Sequence, residues 1–587
     1  MTEIPTKLEH LRHSTAHLLA AAVLKLYPSA KPTIGPATNE GFYYDFDLVE
    51  PVSEDDLKKI EKTMKKLVNS WKSFERSEVS VEKARERFHD NPYKLELIEE
   101  ISTKGEPITL YTSGEFTDLC RGGHIDDPYK TLKAFKLLTV SGAYWRGDEK
   151  NTMLTRISGT AFPSKEELNE YLMLREEAKK RDHRRLGQQL DLFTFSELVG
   201  SGLPLFTPKG TIIRQKLQDA LMSISEKYGY QQVTIPHIAK LALYETSGHA
   251  QKFENELFRV QSHYNQEFVM KPVNCPHHTQ IFASQQRSYR DMPIRYIEST
   301  MQYRDEKPGE IGGLTRVRAI TCDDGHTFCR VSQIKEEVIN LCSIIREFYT
   351  ALGMYGNHWV SLSVRDYTSQ EKYIGNVEDW EQAESMLQEI SDELGLDAKK
   401  IEGEAAIYGP KLDFMFKDAL GNERQLSTVQ LDFAMPKRFG LSYINEEGEN
   451  ETPVMIHRAI LGSYERFLAI LIEHFAGAFP LWLAPVQVCV IPVSDKHTSY
   501  AKKVNDYLKN NGIRTELLAD QKTVSYKIRQ STLQKVPYMG IIGDTEVDSS
   551  NNDNLPVSVR TREGDDLGVM SVDSLLQKLL RHIENVQ

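Results

Sequence analysis

The sequence predicts a multidomain protein of the α+β and α/β classes. Its 587 residues correspond to about four domains at roughly 150 residues per domain. A composition with 40% hydrophobic and 27% charged residues is typical of globular protein, so disordered, collagen-like and coiled-coil classes are excluded. Near the C-terminus, strand-like and helix-like segments alternate, which indicates a partly parallel sheet with helices packed on it.

Charge and cysteine content restrict the class further. A net charge of −12 excludes a uniformly basic nucleic-acid binder but not a local basic surface. Six cysteines spread along the chain are too few for a disulfide framework and suit a reducing cytoplasm, where we expect the protein to act. Residues 475–493 carry no formal charge, but they include Pro480, Pro485 and Pro492. They cannot form a continuous spanning helix, and we expect no membrane partner.

The N-terminal elements read as a mixed domain followed by a connector. Residues 1–163 are predicted to hold helices from Ser14 to Leu26 and from Glu54 to Glu75, where apolar residues recur at helical spacing. Residues 164–186 form a charged helix predicted to end before Gly187. Its run KKRDHRR has the charge to contact a polyanion, although a solvated helix face is the favoured interpretation.

Two further segments complete the chain. Residues 187–480 contain strand-like runs such as MPIRYIEST and LDFMFKD between loops rich in Gly and Pro. From residue 486 onward, VQVCVIPV, RTELLAD, GIIGD and VSVRTR are predicted strands, and 496–510, 523–536 and 572–585 are predicted helices. This last segment has 13 basic and 13 acidic residues, so any contact with a polyanion must come from local clusters.

One cluster has the spacing of a metal site. His13 and His17 lie four residues apart on a predicted helix and so share one face. Cys120 and His124 are also four apart, with Asp118 just before them. Two such pairs suggest zinc or catalysis, whereas the alternative is buried or capping histidines beside an inert thiol. The adjacent pair of glycines favours a pocket.

Ten ordered segments resemble the threonyl-tRNA synthetase family of class II aminoacyl-tRNA synthetases. They are HSTAHLLA, GFYYDFDL, FTDLCRGGHI, AYWRGDEKNTMLTRISGTAF, KPVNCPHH, YRDEKPGEIGGLTRVRAITCDDGHTFC, AIYGPKLDF, TVQLDF, VMIHRAILGSYERFLAIL and FPLWLAPVQV. The resemblance implies an N-terminal α+β editing domain (1–163), a helical linker (164–186), a catalytic domain with the class II antiparallel sheet (187–480) and a C-terminal α/β anticodon-binding domain (486–587). The chain begins at the HSTAH segment, so the family's small N-terminal domain is expected to be absent.

The implied activity is ATP-dependent attachment of threonine to tRNA(Thr) through threonyl-adenylate, with Mg²⁺ accompanying ATP. By the match, Arg304 holds the α-phosphate and the carboxylate, and Glu306 accepts from the adenine amino group. Arg316 binds a distal phosphate and Arg466 the γ-phosphate, contacts that suit planar guanidinium groups. Lys411 and Gln425 match further residues of the active site, and Arg304, Lys411 and Arg466 are the expected catalytic residues.

The resemblance also implies one zinc ion per subunit, held by Cys275, His326 and His457. Separations of 51 and 131 residues would not suggest this trio by themselves. Three protein ligands leave an open position, which threonine can fill through its amine and hydroxyl, whereas valine lacks the hydroxyl. Residues that match the family's threonine-orienting positions are Asp324, Tyr408 and Ser463.

Serine keeps the hydroxyl, so the zinc site does not by itself distinguish serine from threonine. One missing methyl group gives only about 10–200-fold selectivity. The resemblance assigns hydrolytic editing of seryl-tRNA(Thr) to a pocket formed by His13, His17, Tyr44, Asp118, Cys120 and His124. Activated water and hydrogen bonding, without a tightly held metal, are predicted there.

Anticodon contact and dimerisation complete the implied picture. Base-reading positions match Lys535, Glu546 and Arg560, because unpaired anticodon bases are read by hydrogen bonds on their edges. Local basic residues expected to contact tRNA are Lys527, Arg529, Arg560 and Arg562. The alternative for these residues is an ordinary solvated surface. The class II dimer signature is expected from Pro236 onward, which implies a homodimer.

The chain departs from the family pattern at four places. His277 stands where Gly is usual, so His277 or His278 either approaches the zinc or points away. Cys322 replaces a usual Gln beside the substrate pocket. The run KTVS at 522–525 and the longer turn SSNNDNLP affect the anticodon domain and the position of Arg560.

Three other functions compete with this interpretation. Another class II ligase is disfavoured by the zinc trio together with the HSTAH and CRGGH segments. A non-catalytic tRNA- or mRNA-binding paralogue is expected to lose Arg304, Arg316 or Arg466, and this chain has all three. A metal-dependent hydrolase confined to residues 1–160 would not need the segment 200–480.

Overall fold

A computed structural model of the chain describes residues 6–356, 358–418, 421–550 and 555–584. These residues fall into two compact units, Met1–Glu176 and Glu177–Gln587. Part of the turn SSNNDNLP, residues 551–554, lies outside the described residues.

The N-terminal unit combines a long helix with two small sheets. Its helices are α1 Thr6–Leu26, α2 Leu57–Leu67, α3 Val81–Arg87, α4 Pro92–Thr103 and α5 Pro128–Thr131. Its strands are β1 Lys31–Pro32, β2 Phe42–Asp47, β3 Glu75–Val79, β4 Ile108–Ser113, β5 Phe116–Leu119, β6 Ala134–Tyr144 and β7 Met153–Phe162. The strand orders are β1-β2-β7-β6 and β3-β4-β5, with antiparallel neighbours throughout.

Helix α1 packs on the four-stranded sheet and anchors the core of this unit. Its residues from Leu18 to Val23 are buried, since small alanine side chains allow the helix to lie close to α2, β2 and β7. The predicted helix at Ser14 to Leu26 is therefore confirmed, although it begins earlier. The predicted helix from Glu54 to Glu75 is shorter, because a 3₁₀ turn follows α2 and the buried Trp71 adopts extended backbone.

The predicted connector helix is two helices, α6 Lys165–Arg181 and α7 His183–Gln189. They meet at Asp182, which has φ −47° and ψ 119° and accepts a hydrogen bond from the Arg184 N–H. The prediction that the helix ends before Gly187 was wrong. A Cβ at Gly187 would lie 2.2 Å from the Phe193 ring, so this glycine permits close packing within α7.

The C-terminal unit holds the remaining elements. Its further helices are α8 Pro208–Lys227, α9 Leu241–Ser247, α10 His249–Lys252, α11 Cys275–Ala283, α12 Ile334–Ala351, α13 Val377–Glu393, α14 Ala434–Arg438, α15 Tyr464–Phe475, α16 Thr498–Asn510, α17 Val524–Leu533, α18 Asp544–Asp548 and α19 Val572–Glu584. Its strands are β8 Phe193–Thr194, β9 Leu205–Phe206, β10 Gln231–Gln232, β11 Ile238–Ala239, β12 Arg259–Gln261, β13 Glu267–Met270, β14 Ile294–Tyr303, β15 Ala319–Cys329, β16 His358–Val364, β17 Lys399–Glu402, β18 Lys411–Lys417, β19 Glu423–Asp432, β20 Tyr443–Ile444, β21 Asn450–Glu451, β22 Val454–Ala459, β23 Val488–Pro492, β24 Thr515–Leu517, β25 Tyr538–Ile542, β26 Pro556–Thr561 and β27 Asp566–Ser571.

An eight-stranded sheet forms the centre of this unit. Its order is β10-β14-β15-β22-β19-β18-β16-β17, and the six inner strands are antiparallel, as predicted. Helices α8, α12 and α15 contribute many of the apolar side chains of the main core cluster, and the strands of the sheet contribute others. Because β15 and β22 pair in register, residues far apart in sequence become neighbours on the sheet.

The C-terminal sheet confirms the predicted α/β pattern. Its order is β24-β23-β25-β26-β27, with the first three strands parallel and the last two antiparallel. Residues 475–493 contain the end of α15, a turn and the buried strand β23, as predicted. Among the helices of the described residues, none is both long and apolar enough to cross a membrane.

Candidate active sites

The eight-stranded sheet brings Cys275, His326 and His457 together. His326 on β15 lies directly opposite His457 on β22, and Cys275 begins α11. One ligand atom from each lies within 4.8 Å of the others, and all three residues are buried. Burial lowers the pKa of His326 well below its usual value, so its imidazole is neutral. A thiol sulfur and two imidazole nitrogens are donors that zinc accepts, so the residues fit this metal.

Hydrogen bonds fix the orientation of both imidazoles. His457 Nε2 lies 2.9 Å from Asp432 Oδ2 on the neighbouring strand β19. His326 Nδ1 lies 2.7 Å from His278 Nδ1. Such outer partners set the tautomer and direction of metal-binding histidines. Sequence analysis missed Asp432, whose only signal is its place in TVQLDF.

The structure separates the roles of the two adjacent histidines in CPHH. His278 contacts His326, whereas the His277 ring lies 6.2 Å from the Tyr244 ring, outside the trio. Burial lowers the pKa of His277 to about 4. The departure at position 277 therefore adds a neutral, buried imidazole behind the site rather than a fourth donor in the trio.

Of the predicted threonine-binding residues, Asp324 and Tyr408 lie beside the trio, whereas Ser463 lies at the start of α15. Asp324 accepts a hydrogen bond from Asn274 Nδ2 at 3.0 Å, and the Tyr408 ring lies 4.8 Å from the His457 ring. Ser463 is the N-cap of α15, where its Oγ accepts from the Arg466 N–H at 3.2 Å. Ser463 also forms an isolated antiparallel bridge with Cys322, which burial keeps as a neutral thiol by raising its pKa.

The predicted phosphate-binding residues lie on the loop after β14 and on α15. Arg316 is ion-paired to Glu306, with Arg316 Nε 2.8 Å from Glu306 Oε2, and Arg316 also pairs with Glu310. Burial, and then the nearby Arg424, lower the pKa of Arg466. Arg466 as a residue remains exposed, so a guanidinium with a second cation nearby is accessible to an anion.

Asp413 organises two further predicted residues, although sequence analysis did not identify it. This buried carboxylate on β18 accepts from Lys411 Nζ at 2.5 Å and from Gln425 Nε2 at 2.7 Å. Ser363 and Thr428 also donate to it. Lys411 and Gln425 are therefore held at one point of the sheet. The alternation of LDFMFKD places Asp413 on the face opposite the core residues Leu412 and Phe414, so the pattern alone does not predict its burial.

A second cluster lies in the N-terminal unit. One nitrogen from each of His13, His17 and His124, together with Cys120 Sγ, lie within 4.8 Å of one another. Cys120 Sγ is 3.1 Å from His13 Nε2 and 3.3 Å from His124 Nε2. His13, His17 and Cys120 line a cavity of about 430 Å³. The donor types would also suit a metal ion.

Asp118 links this cluster to two buried polar groups. Its carboxylate lies 2.5 Å from Lys94 Nζ and accepts from the Tyr44 hydroxyl at 2.5 Å. Lys94 on α4, also part of the cavity wall, was missed by sequence analysis, because a lysine in NPYKLELI reads as a solvated helix residue. Ion pairing with Asp118 compensates for its burial.

Burial keeps the other groups of this pocket neutral. It lowers the pKa of His124 to about 2 and that of His17 well below its usual value. It raises the pKa of the Cys120 thiol to about 11. The pocket therefore presents neutral imidazoles and a thiol beside an ion pair, which suits hydrogen bonding to a water molecule and an ester.

Comparisons with known proteins identify the families of three segments of the chain. Residues 108–158 match the family described as the threonyl and alanyl tRNA synthetase second additional domain. Residues 258–475 match the tRNA synthetase class II core domain (G, H, P, S and T), and residues 487–582 match the anticodon binding domain. The threonine–tRNA ligase of Gloeobacter violaceus is 48% identical over 98% of this chain and 92% of that protein. The chain belongs to the threonine–tRNA ligase family.

Other relatives agree with this assignment, which confirms the predicted family and class II fold. The threonine–tRNA ligase of Rubrobacter xylanophilus is 47% identical over 98% of this chain and 89% of that protein. The RNA binding domain of threonyl-tRNA synthetase from Cryptosporidium parvum Iowa II superposes with a TM-score of 0.64 at 36% identity. The match covers 68% of this chain and 98% of that structure.

In this threonine–tRNA ligase family member, the predicted anticodon residues lie around β25. Lys535 precedes the strand, Glu546 follows it on α18, and Arg560 on β26 pairs with Met539. Glu546 Oε2 accepts from the Gly543 N–H at 2.8 Å, so this carboxylate caps α18. Lys535 and Arg560 therefore lie near the start of β25, and Glu546 lies beyond its end.

Two of the predicted basic contacts have structural partners instead. Lys527 is buried, with Nζ 3.8 Å from Asp520. Arg562 donates to the Phe479 carbonyl at 3.0 Å. Lys527 is therefore buried and Arg562 only partly exposed, and the contact of both residues with tRNA stays a prediction.

Proposed function

We propose that the chain is an ATP-dependent threonine–tRNA ligase that also hydrolyses seryl-tRNA(Thr). The meeting of Cys275, His326 and His457 on the class II sheet is the observation that carries this proposal. A family relationship at 48% identity over nearly the whole chain supports the same activity.

Selection of threonine begins at the trio. Cys275, His326 and His457 would hold Zn²⁺, and an ion with only three protein ligands would leave room for the amine and hydroxyl of a β-hydroxy amino acid. Asp432 and His278 keep the two imidazoles in place. A site that binds a hydroxyl rejects an analogue without it by about 10⁴–10⁵-fold, so valine is excluded.

Activation joins the threonine carboxylate to the α-phosphorus of ATP and releases pyrophosphate. Arg304 neutralises charge at the reacting phosphate, and Arg466 binds the γ-phosphate. Mg²⁺ accompanying ATP would supply further positive charge. Lys411 and Gln425 are positioned by Asp413. Glu306 and Arg316 pair with each other. Binding of ATP would replace this pair, because the adenine amino group would donate to Glu306 and a distal phosphate would accept from Arg316.

Editing uses the neutral cluster of the N-terminal unit. Serine differs from threonine by one methyl group, which a binding site discriminates only about 10–200-fold. His13, His17, Cys120 and His124 hydrogen-bond the attacking water and the ester, while Asp118 and Tyr44, with Lys94, position them. This hydrolysis proceeds without a tightly held metal.

Anticodon contact and dimerisation involve other parts of the chain. Lys535, Glu546 and Arg560 contact the anticodon, with Arg529 on the same domain. Exposed apolar side chains on and near the hairpin of β8 and β9, including Leu198 and Val199, support a homodimer with the segment from Pro236 onward. The cysteines, all free, suit the cytoplasm.

ATP–pyrophosphate exchange with a panel of amino acids tests the proposal. Threonine should support exchange, serine should support it weakly, and valine should not support it. Metal analysis of the same sample should find one zinc per chain. Absence of threonine-dependent exchange would contradict the ligase proposal, and exchange by a zinc-free sample would contradict selection through the trio.

A further inference from the structure

We propose that His183 is a positioning residue for ATP, which fixes the loop carrying Glu306 and Arg316 to helix α15. The inference rests on the proposed function, because it concerns the ATP site of the same reaction. His183 begins α7, where the chain resumes its helix after the break at Asp182.

The loop between β14 and β15 is anchored at Leu314. The Leu314 side chain is 0% exposed and belongs to the main core cluster. Its backbone N–H donates to His183 Nε2 at 3.1 Å. A buried N–H group requires an acceptor, and here an imidazole from a different element supplies it.

This bond determines the tautomer of His183. A backbone N–H can only donate, so Nε2 must accept and the ring proton resides on Nδ1. Nδ1 lies 2.7 Å from Glu473 Oε1 and therefore donates to it. One neutral imidazole thus joins the loop to α15 through two directed hydrogen bonds.

Glu473 connects this contact to a predicted phosphate-binding residue. It lies two helical turns after Arg466 on α15, so both side chains lie on the same side of the helix. Arg316 lies two residues after Leu314 on the loop. The bridge through His183 therefore fixes two cations of the ATP site relative to each other.

The loop backbone lies directly against the imidazole. Gly313 has φ +54°, and a Cβ there would lie 2.4 Å from His183 Nε2. The base of the loop is held independently, because Arg318 Nη2 donates to the Glu306 carbonyl at 2.9 Å. Loss of His183 would therefore release the part of the loop at Gly313 and Leu314, next to Arg316, while its base stays anchored.

Two substitutions separate this role from simple packing. His183→Asn keeps a donor near Glu473 but cannot reach Leu314. His183→Gln instead places an acceptor for Leu314 close to the position of Nε2 and gives up the bond to Glu473, so it keeps the contact with the loop itself. In threonine-dependent pyrophosphate exchange, the Asn variant should raise KM for ATP about tenfold, since the lost bond is worth roughly that factor. The Gln variant should stay within about threefold of wild type.

The two substitutions should differ in their KM for ATP and leave the other measured parameters unaffected. KM for threonine, zinc content and kcat should remain close to wild type in both variants. His358→Asn is the matched control, because His358 is a partly buried histidine whose Nδ1 contacts the Tyr355 carbonyl at 3.0 Å and whose ring neighbours are Phe414 and Phe416.

The result that would overturn the inference is a normal KM for ATP in His183→Asn, or equal damage by Asn and Gln to every parameter. If His183→Asn does not fold, Gly313→Ala tests the same contact from the loop and should also raise KM for ATP. An unchanged KM there would overturn the role of His183. Absence of threonine-dependent exchange in the wild type would instead refute the proposed function.

Discussion

Lys94 and Asp118 show how one buried charge depends on another. Their side chains are only 2% and 4% exposed. Lys94→Met should lower the free energy of unfolding of the N-terminal unit by about 3–5 kcal/mol, because the carboxylate remains buried without its cation. Clearance of seryl-tRNA should fall as well. Denaturant titration and a deacylation assay would measure the two effects.

An exposed pair supplies the control for that substitution. Arg76 and Glu78 are 51% and 59% exposed, and such pairs contribute about 0–1 kcal/mol. Arg76→Met should therefore leave both measurements near wild type. Equal losses in the two variants would contradict the argument from burial.

His124 makes the stability of the N-terminal unit depend on pH. Its pKa is about 2 in the folded unit, mainly because burial penalises the charged ring, and about 6.5 when unfolded. Below pH 6.5 the unfolded chain binds a proton that the folded unit does not, so stability is full above pH 6.5 and falls as pH decreases. The slope is about 1.4 kcal/mol per pH unit for this group.

Denaturation of the N-terminal unit at pH 7.5, 6.5 and 5.5 would measure that dependence. His124→Gln should show a shallower slope between pH 6.5 and 5.5, because glutamine does not titrate. The same slope in both proteins would show that other groups control acid sensitivity.

At the scale of elements, Gly409 permits the approach of the chain before β18 to the end of β19. A Cβ at this position would lie 1.6 Å from the Leu431 carbonyl oxygen, a backbone atom. Gly409→Ala should destabilise the C-terminal unit by about 1–3 kcal/mol or more and reduce threonine activation by displacing Tyr408 and Lys411. Thermal unfolding and pyrophosphate exchange would report both changes.

Gly356→Ala is the appropriate control, since no atom lies within 4 Å of a Cβ placed there. It should behave like wild type in both assays. Normal threonine activation by Gly409→Ala would mean that the chain before β18 can move away from the end of β19 without disturbing the active site.

Local patterns predicted the elements whose structure depends on local contacts. Helix α1 follows from its apolar spacing, and a spacing of four placed His13 and His17 on one face. Strand and helix alternation predicted the C-terminal sheet. The break at Asp182 was missed, because a charged run gives the same helical signal on both sides of it, and the cap depends on one side chain.

Long-range pairing explains what the sequence alone could not provide. His326 and His457 meet because β15 and β22 pair in one register, and no local pattern specifies which strands become neighbours. Only the resemblance to a family suggested the trio. Lys94 was missed for a related reason, since burial of a lysine depends on a partner 24 residues away in sequence.

At the scale of the whole molecule, the two proposed activities belong to different compact units. His457→Ala should abolish threonine activation and bound zinc but leave hydrolysis of supplied seryl-tRNA(Thr) near wild type. His13→Ala should have the opposite effect, with near-normal threonine charging and accumulation of seryl-tRNA. Exchange, metal analysis and deacylation on both full-length variants would measure this crossed pattern.

Each variant serves as the control for the other. Loss of both activities in either variant would show that the units depend on each other for folding or chemistry. Retained clearance of seryl-tRNA by His13→Ala would mean that the N-terminal cluster has another function.

The register of β15 and β22 has a consequence for how the proposed zinc ion would be acquired. Backbone hydrogen bonds of the sheet, rather than coordination, align the two histidine-bearing strands. Chelation should therefore leave a folded, inactive apoprotein that regains activity when zinc is returned. In this respect the catalytic sheet differs from a zinc finger, whose polypeptide collapses when its ion is withdrawn.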